Sequence, residues 1–146
     1  MFTNAASIIK TNKDILSKSV TQWVIDNHPE RTTAYDKCTR DIGYIIDSIE
    51  TCLHEGNHQS IDYIGHMFFK GGELQIKSTE VEFLAYDKLK LELQSIIIDL
   101  DACAFVEELL NKLKMHLTNG FQNYIENPSK ARLIDNIDQE TIIKRL

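Results

Sequence analysis

The chain is poor in residues that break or bend a backbone, with 6 glycines and 2 prolines in 146 residues. So few leave little room for flexible linkers, and with 42% hydrophobic and 26% charged residues the composition excludes a disordered chain. The length matches one ordinary domain that can bury a core without disulfides or metals to staple it. Cysteine is scarce too. Cys38, Cys52 and Cys103 are odd in number and form no CxxC pair, which argues against a disulfide framework and against a zinc knuckle. Cys38 and Cys52 stand two heptads apart, so both fall on one helix face as small apolar residues, a bland role suited to a reducing cytosol.

Positive charge is thin. The formal net charge is -6, and residues 41–100 carry eleven acidic side chains against four basic ones. The basic clusters are only Lys112/Lys114, Lys130/Arg132 and Lys144/Arg145, too little for a stripe that releases counterions from nucleic acid. No apolar run is long enough to span a bilayer, and Met1 to Ala6 lacks the basic start and apolar stretch of a signal peptide, so a soluble chain without a membrane partner is expected. A glycine-rich phosphate loop, a nucleophile elbow and a paired-glycine fingerprint are all missing; Gly71-Gly72 fits a helix stop. No cofactor and no small-molecule substrate are expected.

What is present is helical periodicity. Leu16, Val20, Trp23, Val24 and Asn27 share one face, and Pro29 ends the segment because the residue before proline disfavours the α region, which predicts a helix from about Asn12 to Asn27. Ile8 and Ile9 upstream either extend it or form a separate turn. Tyr35, Cys38, Ile42, Ile45, Ile46, Ile49, Cys52 and Leu53 then recur at steps of three and four and mark the central core helix. Gly43 inside it costs roughly 1 kcal/mol against alanine, which predicts a close backbone neighbour at a tight crossing.

Gly56-Asn57 breaks that helix, and Ile61, Ile64, Gly65 and Phe68 mark a third. Glu73 to Lys77 has the alternation of a brief extended segment, with no strand to pair with. Thr79 and Glu82 form a capping box before a fourth helix built on Val81, Leu84, Ala85, Leu89, Leu93, Ile96 and Ile97. Asp99 or Asp101 caps the fifth, whose stripe is Val106, Leu109, Leu110, Leu113, Leu117 and Phe121, ending near Asn127-Pro128. Trp23 and Phe105 are expected in the core. The fold class is therefore all-α: an antiparallel bundle of about five helices over 1–127, and an irregular C-terminal tail over 128–146. Ile142, Ile143 and Leu146 tip that tail with apolar groups that pack either on a partner or back on the bundle.

One string speaks for chemistry. His54-Glu55-Gly56-Asn57-His58 matches H-E-x-x-H, in which two histidines one helical turn apart bind zinc and the glutamate acts as general base. That chemistry needs a regular helix, and Gly56-Asn57 stands where the helix ends; a third ligand would have to come from His66, Glu80 or Glu82. His54 and His58 are thus only weak metal candidates, and no metal is expected. His28 and His116 stand alone in the pattern and are expected to be solvated or capping residues.

The run Tyr35-Asp36-Lys37-Cys38-Thr39-Arg40-Asp41-Ile42-Gly43-Tyr44-Ile45-Ile46-Asp47-Ser48-Ile49, followed by Gly56-Asn57 and Gln59-Ser60-Ile61, resembles a helical module of tailed-phage virion proteins, most familiar from large structural proteins of T4-like marine phages. The resemblance covers about residues 14–100, with Arg40-Asp41-Ile42-Gly43-Tyr44 its most specific part. It implies a helix, a glycine-asparagine loop and another helix, and it implies no catalytic residues. Glu55 stands where the module usually has the first of two glycines, and the module usually recurs within longer chains. On this basis the chain is expected to be a non-enzymatic virion structural protein, assembled in the host cytoplasm into a tail, baseplate or neck. Its expected partners are other virion proteins and copies of itself, met through Arg40, Asp41, Tyr44, Ile142, Ile143 and Leu146. The alternatives are an intracellular adaptor whose acidic middle binds a basic protein, and a zinc hydrolase built on His54, Glu55 and His58.

Overall fold

A computed structural model describes residues 1–29, 35–69 and 80–126. These form five helices, α1 Thr3–Asn27, α2 Tyr35–Glu55, α3 Gln59–Phe69, α4 Glu80–Ile96 and α5 Leu100–Glu126, and no strand is found among the described residues. The all-α bundle expected from periodicity is the fold. The expected Gly71-Gly72 stop, the extended segment at Glu73 to Lys77, the Thr79 cap, and the tail with Ile142, Ile143 and Leu146 lie outside the described residues.

The apolar stripes converge on one core. Ile45, Ile46, Ile49, Cys52 and Leu53 of α2, Leu89 and Leu93 of α4, and Val106, Leu109, Leu110, Leu113 and Leu117 of α5 are all buried against one another. Each large aliphatic so placed contributes about 1.5–3 kcal/mol through removal of its surface from water. Trp23 and Phe105 lie half-buried at the rim of this core, and Tyr86 is buried in it. Tyr35, counted in the α2 stripe, is instead exposed at the helix start.

Cross-helix contacts fix the directions. Phe2 N–H donates to the Leu53 carbonyl (2.8 Å), Lys13 reaches Asp47 (2.9 Å) and the Thr39 hydroxyl donates to that of Thr21 (3.1 Å), so α1 and α2 run antiparallel along their whole length. Gln94 bonds the Cys103 carbonyl, Lys90 pairs with Glu107 and Lys114 with Asp87, which makes α4 and α5 antiparallel as well. Ser19 donates to Glu92 and closes α1 on α4. In α3 and α5 the partners rise together, His58 with Glu108 and Asp62 with His116, so these two helices are parallel. The packed pairs α1–α2, α2–α3, α3–α5, α5–α4 and α4–α1 form a ring, with α2 and α5 touching across it.

Of the two alternatives for Ile8 and Ile9, extension of the first helix is the one found: α1 begins at Thr3, ahead of the start expected near Asn12, because Ala5, Ala6 and Ile9 continue the buried face, and Asn12 donates to the Ile8 carbonyl (2.8 Å). The expectation for Gly43 is corrected. Gly43 is buried, but no backbone lies against it: a Cβ there would meet the Lys13 Cε at 3.4 Å and the Ser17 Oγ at 3.7 Å. The tight approach is at Gly65, where a Cβ would fall 2.6 Å from the His116 ring.

Candidate interaction surface

The H-E-x-x-H residues do not share a helix. α2 ends at Glu55, Gly56 takes a φ of 73° that side chains rarely allow, and α3 begins at Gln59 after the Asn57 carboxamide accepts the Gln59 N–H. His54 is exposed, and His58 turns the other way, into the α3–α5 seam. The two rings therefore do not stand one helical turn apart on a common face, as the zinc motif requires. Among the described residues no three His, Cys, Asp or Glu side chains are grouped so as to hold a metal ion.

His58 belongs instead to a chain of polar groups running up that seam. Its Nε2 faces Glu108 at 3.3 Å, its Nδ1 faces the Lys112 ammonium at 3.4 Å, Lys112 donates to Asp62 Oδ2 at 2.9 Å, and Asp62 Oδ1 faces His116 Nε2 at 2.9 Å. An ammonium can only donate, so His58 Nδ1 presents a lone pair and the Nε2–H donates to Glu108. Burial alone would raise the Asp62 pKa, but the hydrogen bonds from His116 and Lys112 outweigh it and hold the carboxyl below its ordinary range. His116, read from sequence as a solitary histidine, is half-buried and clamped between Asp62 and Gly65. His28 rests edge-on against Trp23, with ring centroids 5.6 Å apart. These contacts fasten α3 to α5.

The other conspicuous feature is apolar. At one end of the ring the start of α1, the α2–α3 turn and the α4–α5 turn come together, with Phe105 between the Phe2 ring and the His58 ring, each 5.4 Å away. Here Ile98 is 90% and Leu100 82% exposed, although neighbouring Ile97 is buried. Asp99 fixes their placement as the cap of α5, its Oδ1 accepting the N–H of Asp101 (2.9 Å) and of Ala102 (3.3 Å). Ile98 and Asp99 flank a cleft of about 730 Å³ that Phe2, Asn4, Ile8 and Ile97 also line. Asp99 is the charged side chain that lines it; the Met1 ammonium, at the cleft's other side, donates to the His54 carbonyl (2.6 Å), and Asp101 stands exposed in the first turn of α5. An aliphatic pair held out to solvent on a capped turn, beside an open cleft, has the form of a protein-docking surface.

Neither exposed group carries a sequence signal, since Ile96-Ile97-Ile98 reads simply as the end of an apolar face. Of the expected interface residues, Arg40 and Tyr44 are exposed on α2, while Asp41 between them is half-buried. Burial pushes the Asp41 carboxyl up, and Arg40 counteracts this. No helix among the described residues is long and apolar enough to cross a membrane. Set against models of known families, curated proteins and solved structures, the chain matches none of them.

Proposed function

We propose that this chain is a structural protein of a tailed-phage virion, a helical module that joins other virion proteins and copies of itself in the tail, baseplate or neck. The observation that carries the reading is the apolar corner: Ile98 and Leu100 are presented by a capped turn on a ring of helices whose interior is filled by close-packed aliphatic side chains. A protein whose work is geometric needs such a rigid body and such anchors, and aliphatic side chains left in water at a fixed corner gain most when a partner covers them.

The order of α2, the Gly56-Asn57 turn and α3 supports the virion assignment, because it is the order that the Arg40-Asp41-Ile42-Gly43-Tyr44 resemblance implies. The test is quantitative mass spectrometry of purified phage particles. The chain is expected at a copy number matching a symmetric ring or wedge, and Ile98→Asp is expected to remove it from particles while leaving the soluble protein folded. Particles free of the wild-type chain would overturn the reading.

A further inference from the structure

The docking corner and the point from which the C-terminal segment departs are at opposite ends of α5, and the residue types of corner and segment are complementary. The cleft sits where α5 begins, whereas residues 127–146 leave from where α5 ends, at Glu126. With 27 residues, α5 separates the two points by about 40 Å at 1.5 Å per residue. The segment Ile142-Ile143-Lys144-Arg145-Leu146 offers three aliphatic side chains and two cations. The corner offers aliphatic Ile98 and Leu100, an open cleft with the Asp99 carboxylate on its wall, and the exposed Asp101 in the adjoining first turn of α5.

We infer that the cleft beside Ile98 takes the Ile142–Leu146 segment of a second copy of this chain, so that copies join head to tail. The inference rests on the assembly reading and names the partner of its surface. The length of chain favours a neighbour's cleft over its own. To fold back, the 127–141 linker, with a fully stretched reach of about 55 Å, has to cover the roughly 40 Å of α5 in a largely extended form, giving up conformational freedom. A neighbour stacked end to end brings its segment to the corner without that constraint. Such a contact uses two different patches on each copy; it is heterologous, and it closes into a ring or continues as a helical filament.

The experiment uses full-length chains altered at one patch each, Ile98→Asp at the corner and the double substitution Ile142→Asp/Ile143→Asp at the segment, studied by sedimentation velocity over a concentration series. Ile98 is almost fully exposed, so its substitution leaves the core intact, which far-UV circular dichroism checks. The wild-type chain is expected to associate progressively beyond a dimer, and each variant alone at least roughly tenfold more weakly, since each puts a charge into an apolar contact. Mixed one to one, the variants are expected to form a dimer and nothing larger, because the mixture holds one intact corner and one intact segment per pair.

A wild-type chain that stays monomeric, a variant that still associates as the wild type does, or a mixture that forms no dimer overturns the inference. A monomeric wild type whose corner amides shift in NMR spectra on Ile142→Asp/Ile143→Asp shows the segment in its own cleft and overturns it equally. A chain present in particles but monomeric in solution removes this partner and spares the assembly reading. A chain absent from particles that still associates head to tail does the reverse.

Discussion

At the scale of single residues Gly43 and Gly65, both buried within helices, behave oppositely, although the sequence presents them alike. At Gly65 an added methyl would stand 2.6 Å from the His116 Cγ and Cδ2 and 2.8 Å from its Cβ, so α3 and α5 have to part or the His116–Asp62 contact has to break. Gly65→Ala is therefore expected to cost about 1–3 kcal/mol, the usual penalty for overpacking a filled site. Gly43→Ala meets only the far end of the Lys13 side chain and the Ser17 hydroxyl, at 3.4 and 3.7 Å. A flexible lysine gives way, and the better helix propensity of alanine then makes this change neutral or stabilising by up to about 1 kcal/mol. Urea midpoints of both variants check the pair. In a double-mutant cycle His116→Ala should recover much of the Gly65→Ala loss, and a strictly additive result would mean that the ring is not what the methyl strikes.

At the scale of elements, what the sequence disclosed was whatever repeats locally. α2, α4 and α5 were legible because their buried residues recur every three or four positions, and the ends of α1 and α2 because Pro29 and Gly56-Asn57 interrupt that recurrence. The first turns of α1 were not, since Ala5 and Ala6 are buried but too weakly apolar to mark a face. The α3–α5 seam was invisible for a different reason. Asp62 and His116 lie 54 positions apart, and nothing near either one names the other. The docking corner escaped notice because periodicity tells which face turns inward and does not tell where a face ends, as at Ile97 and Ile98.

That seam gives α3 a pH dependence with a definite sign. Because Asp62 binds its proton less readily when folded than when unfolded, its contribution to stability is complete above the ordinary carboxylate value of 3.8 and is lost as pH falls through the lower, folded value. Asp62→Asn is expected to destabilise the protein at pH 7 by about 1 kcal/mol, kept modest because Asp62 is 37% exposed and solvent screens its partners. The gap between wild type and variant should close in strongly acid solution, below about pH 4. Amide hydrogen exchange along α3 and urea unfolding across this range measure it. A gap that persists unchanged below the carboxylate range would assign the effect to packing and not to charge.

At the scale of the whole molecule the closed ring governs how stability is shared. Each helix packs on two neighbours, and the contact of α2 with α5 joins opposite sides, so no helix can leave without uncovering the stripes of at least two others. Local contacts in the α2–α3 and α4–α5 hairpins are balanced by the α1–α4 seam, where Ser19 meets Glu92 across 73 positions. A ring held in this way is expected to unfold as one cooperative unit. The molecule carries its own reporters at separate places: Trp23, the single tryptophan, stands near the end of α1 at the pole opposite the docking corner, while far-UV circular dichroism reads all five helices together. In the Ile98→Asp background, chosen so that the proposed head-to-tail association does not enter the equilibrium, the two signals should trace one urea transition with one midpoint. If tryptophan emission changes well before the helical signal, α1 detaches first and the α1–α4 seam does not close the ring energetically. Coincident curves would mean that the corner carrying Leu100 keeps its geometry until the whole bundle opens, which is what a fixed docking surface requires.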